Sequence, residues 1–137
     1  LKALNRVLAT RPDWEVETYT DAATALRRAR TTVFDAVITD YRMPDMDGIE
    51  MLQELRAMQP DTIRILLTGV IDIDTLMSAI NQAGAFRFVP KPWDDDQLLE
   101  SIEEGLKFRD ILVENKILAQ TVRDQREALR SMGYDGG

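Results

Sequence analysis

Three short apolar runs constrain the fold most, because each is bounded by turn-forming residues and closed by a polar side chain. Runs of about four to eight β-branched and apolar residues are typical of strands buried on both faces. Stretches with helical periodicity separate them, so strand and helix alternate. This alternation predicts an α/β fold in which helices cover both faces of a parallel sheet. The runs are residues 36–39 closed by Asp40, residues 63–67 closed by Thr68, and residues 86–90 closed by Lys91.

The three closing residues bring an acid, a hydroxyl group and an amine to one edge of the predicted sheet. The carboxyl ends of parallel strands meet there, and open α/β sheets bind ligands at that edge. A carboxylate can attack phosphorus, and a lysine and a hydroxyl group can neutralise phosphoryl oxygens. Taken singly, Asp40 would be a turn or helix cap, Thr68 a packed strand residue and Lys91 a surface cation. Together they favour a phosphoryl group held on a carboxylate.

Composition excludes several other functions. The 137 residues suffice for one domain with an appendage. A net charge of -7 leaves no basic patch for binding nucleic acid. The sequence has neither cysteine nor histidine, which removes disulfides, thiolate metal sites and the usual general base. Since no apolar stretch has the length of a membrane span, we expect a cytoplasmic location.

Periodicity and capping residues predict the remaining elements. Residues 14–19 alternate apolar and polar side chains, which predicts a strand. Asp21 can cap the second helix, and Gly84 is a plausible C′ residue for the helix that begins at Asp72 or Asp74. The acidic run at residues 94–96 suits the first turn of the last helix. The predicted helices cover residues 1–8, 22–30, 48–58, about 73–83 and 98–131.

The last helix is predicted to continue past the domain. A heptad seam within it places Asn115 at a core position, which is typical of parallel two-stranded coiled coils. A solvated linker helix is the alternative. We therefore divide the chain into a domain at residues 1–107, a helical linker at residues 108–132 that can form a coiled coil and a homodimer, and a disordered end at residues 133–137. The seam residues are Phe108, Ile111, Asn115, Leu118, Val122, Gln125 and Leu129.

Ordered motifs around the three closing residues resemble the receiver domain of two-component response regulators. The resemblance covers residues 1–107 and implies a flavodoxin-like, doubly wound parallel sheet with strand order 2-1-3-4-5. The motifs are Asp40 followed by Met43-Pro44 and Asp47-Gly48, then Thr68-Gly69, then Lys91-Pro92.

The resemblance implies a role for each site residue. Asp40 would be the phosphoacceptor and would receive its phosphoryl group from a sensor histidine kinase. Lys91, Thr68 and the Gly69 amide would bind phosphoryl oxygens. Asp40 and the main-chain carbonyl of Arg42 would hold Mg²⁺ together with the phosphoryl group.

Phe88 stands where the family carries a switch aromatic that turns inward as Thr68 moves toward the phosphate. A buried strand aromatic is its plainer role. The switch would control a downstream output domain beyond the long helix, so the domain itself is expected to be a signalling module and not an enzyme. We expect Asp45, Asp47 and the acidic run at residues 94–96 to shape loops and helix starts without binding metal.

One part of the family pattern is absent from the printed sequence. Members begin with a strand that ends in two metal-binding acids, whereas this sequence opens within the helix that follows it. The missing strand would be an interior one, so we expect an unpaired gap between residues 14–19 and the strand that begins at Ala36. We also expect an N-terminal piece in the natural protein; without it, metal affinity should be poor.

Two alternatives from other classes stay open. The first is a phosphate-independent, receiver-like scaffold for dimerisation, which the missing acids favour and the intact Asp40, Thr68 and Lys91 oppose. The second is a hydrolase of the phosphoaspartate type. Such an enzyme would need a second acid two residues after Asp40, where Arg42 stands.

Overall fold

The computed structural model describes residues 1–69 and 73–133. From Ala22 onward, helix and strand alternate as predicted, and the last helix is continuous to Ser131. Asp72 and residues 134–137 of the predicted disordered end lie outside the described residues. The helices are α1 (Lys2–Leu8), α2 (Ala22–Ala29), α3 (Gly48–Met58), α4 (Ile73–Asn81) and α5 (Asp95–Ser131), and the strands are β1 (Ala36–Asp40), β2 (Ile63–Thr68) and β3 (Arg87–Pro90).

The strands form a parallel sheet in the order β1-β2-β3. In this register Asp40 lies beside Leu67, and Thr68 lies beside Pro90. β2 is central and all of its residues are buried, as expected for a strand covered on both faces. The predicted parallel α/β sheet is confirmed.

Each face of the sheet has its own apolar core, which accounts for the continuous apolar character of β2. Leu66 joins the core beneath α2, α3 and α4, whereas its neighbour Ile65 joins the core beneath α1 and α5. Successive strand residues point to opposite faces. The first core includes Leu26, Leu52, Leu55 and Ala79, and the second includes Leu8, Leu98 and Ile102.

The prediction of a strand over residues 14–19 is wrong. The segment has no regular secondary structure and pairs with no strand among the described residues. Its Val16 side chain is 43% exposed. A strand without a partner gains no ladder hydrogen bonds to offset the entropy lost on ordering it. The alternation of apolar and polar side chains is therefore not sufficient to form a strand here. A cleft separates residues 14–19 from β1.

Carboxylate caps begin three of the helices. The predicted caps of α2 and α3 are confirmed, and Asp94 of the predicted acidic cluster caps α5. Gly84 has the positive φ of +61° that favours glycine, but it lies beyond the C′ position because α4 ends at Asn81. The capping bonds run from the Thr24 amide to Asp21 at 2.8 Å, from the Glu50 amide to Asp47 at 2.8 Å, and from the Gln97 amide to Asp94 at 3.1 Å.

Asp45 joins the loop after β1 to the start of α2. Its carboxylate accepts hydrogen bonds from the amides of Ala23 at 3.0 Å and Ala22 at 3.3 Å. The bond from Ala23 is the main reason that the pKa of Asp45 lies below its usual value. This carboxylate fixes a helix that is 22 residues earlier in the chain.

The first part of the helical extension docks on the edge of the sheet where the strands begin. An aromatic stack and two ion pairs attach α5 to the domain as far as Lys116. None of the described helices combines the length and apolar character of a membrane span. The docking contacts are Phe108 on Phe86 with ring centroids 5.5 Å apart, Arg109 with Asp35 at 3.0 Å, and Lys116 with Asp61.

Gly48 should be sensitive to any added side chain. A Cβ atom there would lie 2.2 Å from the Asp40 carbonyl oxygen and 2.9 Å from Leu66 Cδ1. We expect Gly48→Ala to lower the free energy of unfolding by about 1–3 kcal/mol, the usual range for overpacking, as measured by urea denaturation. Gly69→Ala is the matched control, because a Cβ atom there meets nothing within 4 Å. Equal losses in the two variants would contradict the steric account.

Candidate functional site

The sheet brings the three predicted site residues to the edge where its strands end. Asp40 and Thr68 are the last residues of β1 and β2, and Lys91 follows the last residue of β3. The Lys91 amide donates to the Thr68 carbonyl oxygen at 2.7 Å, which continues the ladder by one residue. The Tyr41 amide likewise donates to the Leu67 carbonyl oxygen at 3.1 Å. The main chain therefore fixes all three positions.

Asp40 and Lys91 form an ion pair across the end of β2. The Lys91 ammonium group contacts Asp40 Oδ1, and each side chain is 42% exposed. Oδ1 itself is shielded from solvent, and the Lys91 ammonium group is its polar neighbour among the described residues. The Lys91 ammonium group therefore balances the negative charge on Oδ1. The Asp40 carboxylate still has lone pairs that can bind a further electrophile or cation.

Thr68 and Gly69 present two kinds of donor beside this pair. Thr68 is only 6% exposed, and its position is set by the end of β2. Gly69 is exposed, and nothing lies within 4 Å of the position of a Cβ atom there. An oxyanion can thus approach the main chain at Gly69 from solvent.

The predicted switch aromatic and its neighbour pack on opposite faces of the sheet. Phe88 is half-buried against the core beneath α2, α3 and α4. Trp93 packs against the other core, and its Nε1 donates to Asp95 Oδ1 at 3.1 Å. Phe88 lies on β3, three residues before Lys91, so it is joined to the ion pair by a short length of strand.

The other carboxylates of the loop after β1 are already engaged. Asp45 holds the start of α2, and Asp47 caps α3. That neither carboxylate binds metal stays a prediction. The main-chain carbonyl of Arg42, the other predicted ligand, lies on this loop two residues after Asp40.

The donor set fits a hard cation that keeps most of its water. In the part of the chain that the structure describes, no three acidic side chains come together as a metal cage. Mg²⁺ is often held by one or two carboxylates, with water and phosphate oxygens completing its shell. The Asp40 carboxylate has lone pairs that Lys91 does not use, so it is suited to that role.

Some positioning residues were not anticipated from the sequence. Asp45 was expected only to shape its own loop, but it also fixes α2. No local spacing signal could have revealed this, because the partners are 22 residues apart. Gly48 carried a clearer signal, since a glycine directly after a capping aspartate allows a helix to start close against a strand end.

Comparisons with known proteins agree with this geometry. The response regulator receiver domain family matches residues 1–103. The C4-dicarboxylate transport transcriptional regulatory protein DctD of Rhizobium meliloti is 34% identical over 118 residues, which are 86% of this chain and 25% of that protein. The chain thus spans about a quarter or less of the length of such curated relatives.

Solved structures show the same fold. The adenylate cyclase of Rhodopirellula baltica matches with a TM-score of 0.79 and 30% identity, over 87% of this chain and 90% of that one. The signal receiver domain of an HD domain-containing protein of Pseudomonas fluorescens matches with a TM-score of 0.75 and 33% identity, over 80% and 86% of the two chains. Fold, site order and sequence therefore place this chain in the response regulator receiver domain family.

Proposed function

We propose that residues 1–107 act as a phosphorylation switch in which Asp40 accepts a phosphoryl group from a sensor histidine kinase. The observation that carries this proposal is the Lys91–Asp40 ion pair at the strand ends, beside Thr68. A carboxylate with one cationic neighbour and an unused lone pair is suited to nucleophilic attack on phosphorus. The chain is a signalling module in this account, and a cytoplasmic location suits a kinase partner of that kind.

The transfer needs positioning and charge neutralisation more than covalent assistance. An oxygen of Asp40 attacks phosphorus, the bond from phosphorus to the donor histidine nitrogen breaks, and that nitrogen keeps the electron pair. Lys91 is then shared between Asp40 and a new phosphoryl oxygen. The Thr68 hydroxyl and the Gly69 amide donate to the remaining oxygens. Every one of these groups comes from a strand end or the residue after it.

Mg²⁺ is the cofactor that this donor set favours. Asp40 and the main-chain carbonyl of Arg42 would hold it, and water would complete its shell. When bound, Mg²⁺ neutralises the charge that accumulates on the phosphoryl oxygens. With one carboxylate as its only charged protein ligand, the affinity of residues 1–137 for Mg²⁺ should be low.

The switch is a rearrangement of Thr68 and Phe88. A new dianionic group on Asp40 would draw the Thr68 hydroxyl toward it, and the half-buried Phe88 ring would fill the space that Thr68 leaves. This change would alter the surface formed by α4 and β3. A downstream output domain beyond α5 would respond to it. The phosphate-independent scaffold is the alternative, and it requires no such change.

The phosphoacceptor can be identified with small donors. We expect residues 1–137 to take up beryllofluoride in excess Mg²⁺, detected by ¹⁹F NMR, and to gain a phosphoryl group from acetyl phosphate, detected by mass spectrometry. Asp40→Asn should abolish both adducts. Asp110→Asn, which changes an exposed aspartate on α5, should keep both. An adduct on Asp40→Asn, or none on the parent chain at saturating Mg²⁺, would refute the assignment.

We further propose that two copies of the chain pair in parallel through α5. Phe108 stacks on Phe86, but the apolar seam residues after it are largely exposed: Ile111 is 55%, Leu118 is 55% and Val122 is 46% exposed. The docked residues Arg109 and Lys116 lie on the opposite side of the helix at 100° per residue. Pairing through the seam therefore leaves these two ion pairs with the domain intact.

Asn115 would set the register of this pair. A buried amide at such a position hydrogen-bonds to its twin and is left unsatisfied in other alignments. A parallel pair would hold two output domains side by side. The opposing cost is that about three heptads with Gln125 in the seam form only a short coiled coil.

Sedimentation can test the pairing. Residues 1–137 should dimerise, whereas a chain ending at Lys107 should be monomeric, because it lacks the seam. Leu118→Asp should abolish the dimer by placing a charge in the seam. Ile117→Asp is the matched control, because Ile117 is 61% exposed but lies off the seam. A monomeric parent chain at high concentration, or a dimer that survives Leu118→Asp, would exclude this interface.

A further inference from the structure

The C-terminal end of α4 is held by side chains from α3. Arg56 donates from Nη1 to the carbonyl oxygens of Gln82 at 3.2 Å and Asn81 at 3.4 Å. Gln53, one turn earlier on α3, donates from Nε2 to the side-chain oxygen of Gln82 at 2.7 Å. The last carbonyls of a helix have no partner within it and carry partial negative charge, so a guanidinium group is well suited to them. These contacts attach the end of α4 to α3.

Arg64 holds the turn that follows α4. This arginine of β2 is only 8% exposed, and its Nε donates to the Gly84 carbonyl oxygen at 3.2 Å. Its Nη1 donates to the carbonyl oxygens of Thr62 at 2.9 Å and Pro60 at 3.3 Å. Arg64 takes part in none of the ion pairs among the described residues. A movement of Gly84 would therefore take a hydrogen bond from a buried cation that is held by carbonyl oxygens, and such a loss is costly.

Gly84 allows both guanidinium groups to pack against this turn. Its φ of +61° favours glycine. A Cβ atom there would lie 2.9 Å from Arg64 Nη2 and 3.4 Å from Arg56 Cζ, so both groups lie over the same main-chain position. The Phe86 amide donates to the Arg64 carbonyl oxygen at 2.7 Å, which also ties the turn to β2. We call Gln53, Arg56, Arg64 and Gly84 the α4 anchor.

The middle of α4 meets the core through a small side chain. Ala79 is fully buried in the core beneath α2, α3 and α4, whereas the larger Met77 and Ile80 are 48% and 46% exposed. An alanine buries little apolar area, so it resists a tilt of the helix less than a large side chain would. The helix begins at Ile73, five residues after Thr68. Its N-terminal end is thus the one next to the proposed phosphorylation site, and its C-terminal end is the one that the anchor holds.

We propose that Arg56 and Arg64 are positioning residues that fix the C-terminal end of α4, so that phosphorylation displaces its N-terminal turn about this anchor. The inference rests on the proposed function, in which a phosphoryl group on Asp40 draws Thr68 toward it. A helix that is held at one end responds by tilting, whereas a helix released at both ends shifts as a whole. The α4 anchor therefore sets which part of the α4 surface changes.

Amide hydrogen exchange tests the anchor without any phosphate. The Gln82 and Ala85 amides donate to carbonyl oxygens of α4 at 2.8 Å and 3.1 Å, so both report the opening of this end. Arg56→Gln should raise their exchange rates about tenfold, because the helix end loses hydrogen bonds from a charged donor. Arg27→Gln is the matched control and should leave these rates unchanged. Arg27 is an exposed arginine of α2 that donates to Thr24 of its own helix.

NMR with beryllofluoride in excess Mg²⁺ tests the tilt. In the parent chain, the adduct should shift the amide resonances of residues 74–77 and leave those of Gln82 and Ala85 near their original positions. Arg56→Gln leaves the phosphoacceptor site unchanged, so the adduct should still form. The shifts at Gln82 and Ala85 should then grow to the size seen at residues 74–77. A residue that served only the stability of the fold would not spread the shifts in this way.

A second variant and the parent chain decide the outcome. Gln53→Ala removes the other contact between α3 and α4 and should act in the same direction as Arg56→Gln. Shifts at Gln82 and Ala85 as large as those at residues 74–77 in the parent would overturn the proposal, as would exchange and shifts in Arg56→Gln that match the parent. If the parent forms no adduct, the proposed function fails. Faster exchange in Arg56→Gln would then still support the anchor, and unchanged exchange would overturn it.

Discussion

The ion pair between Lys91 and Asp40 joins two strands that are not neighbours, because β1 and β3 flank β2. Adjacent strands lie about 4.8 Å apart, so the lysine side chain has to cross the end of β2, where Thr68 stands. Its ammonium group balances the negative charge on Asp40 Oδ1, which is shielded from solvent. A phosphoryl group that arrives on Asp40 must share this cation. In the proposed mechanism, phosphorylation would therefore change the local electrostatics at the strand ends, and the packing of Thr68 and Phe88 would follow.

The elements that depend on local chemistry could be predicted from the sequence. The apolar runs of the three strands, the caps Asp21 and Asp47, and the uninterrupted α5 all follow from periodicity and short-range hydrogen bonds. The convergence of Asp40, Thr68 and Lys91 followed from one topological rule about parallel strands. Residues 14–19 show the limit of this reasoning, since a strand needs a partner that local alternation cannot supply. The contact of Asp45 with α2 could not be predicted either, because its partner Ala23 lies 22 residues away in the sequence.

The first part of helix α5 packs on the domain, and its second part extends beyond the domain. Its docked residues Arg109 and Lys116 pair with acids that lie one residue before β1 and two residues before β2. Those strands end at Asp40 and Thr68. The same helix shows its apolar seam on the opposite side. The two strands therefore lie between the site residues and the docked part of α5.

The most direct test of this account is NMR of residues 1–137 before and after beryllofluoride saturates Asp40. The shared-cation mechanism predicts that the largest side-chain shifts occur at Lys91, Thr68 and Phe88. Ile63, at the opposite end of β2, should shift much less. An adduct on Asp40 that leaves Thr68 and Phe88 unchanged would contradict the switch and favour a scaffold that works without phosphate.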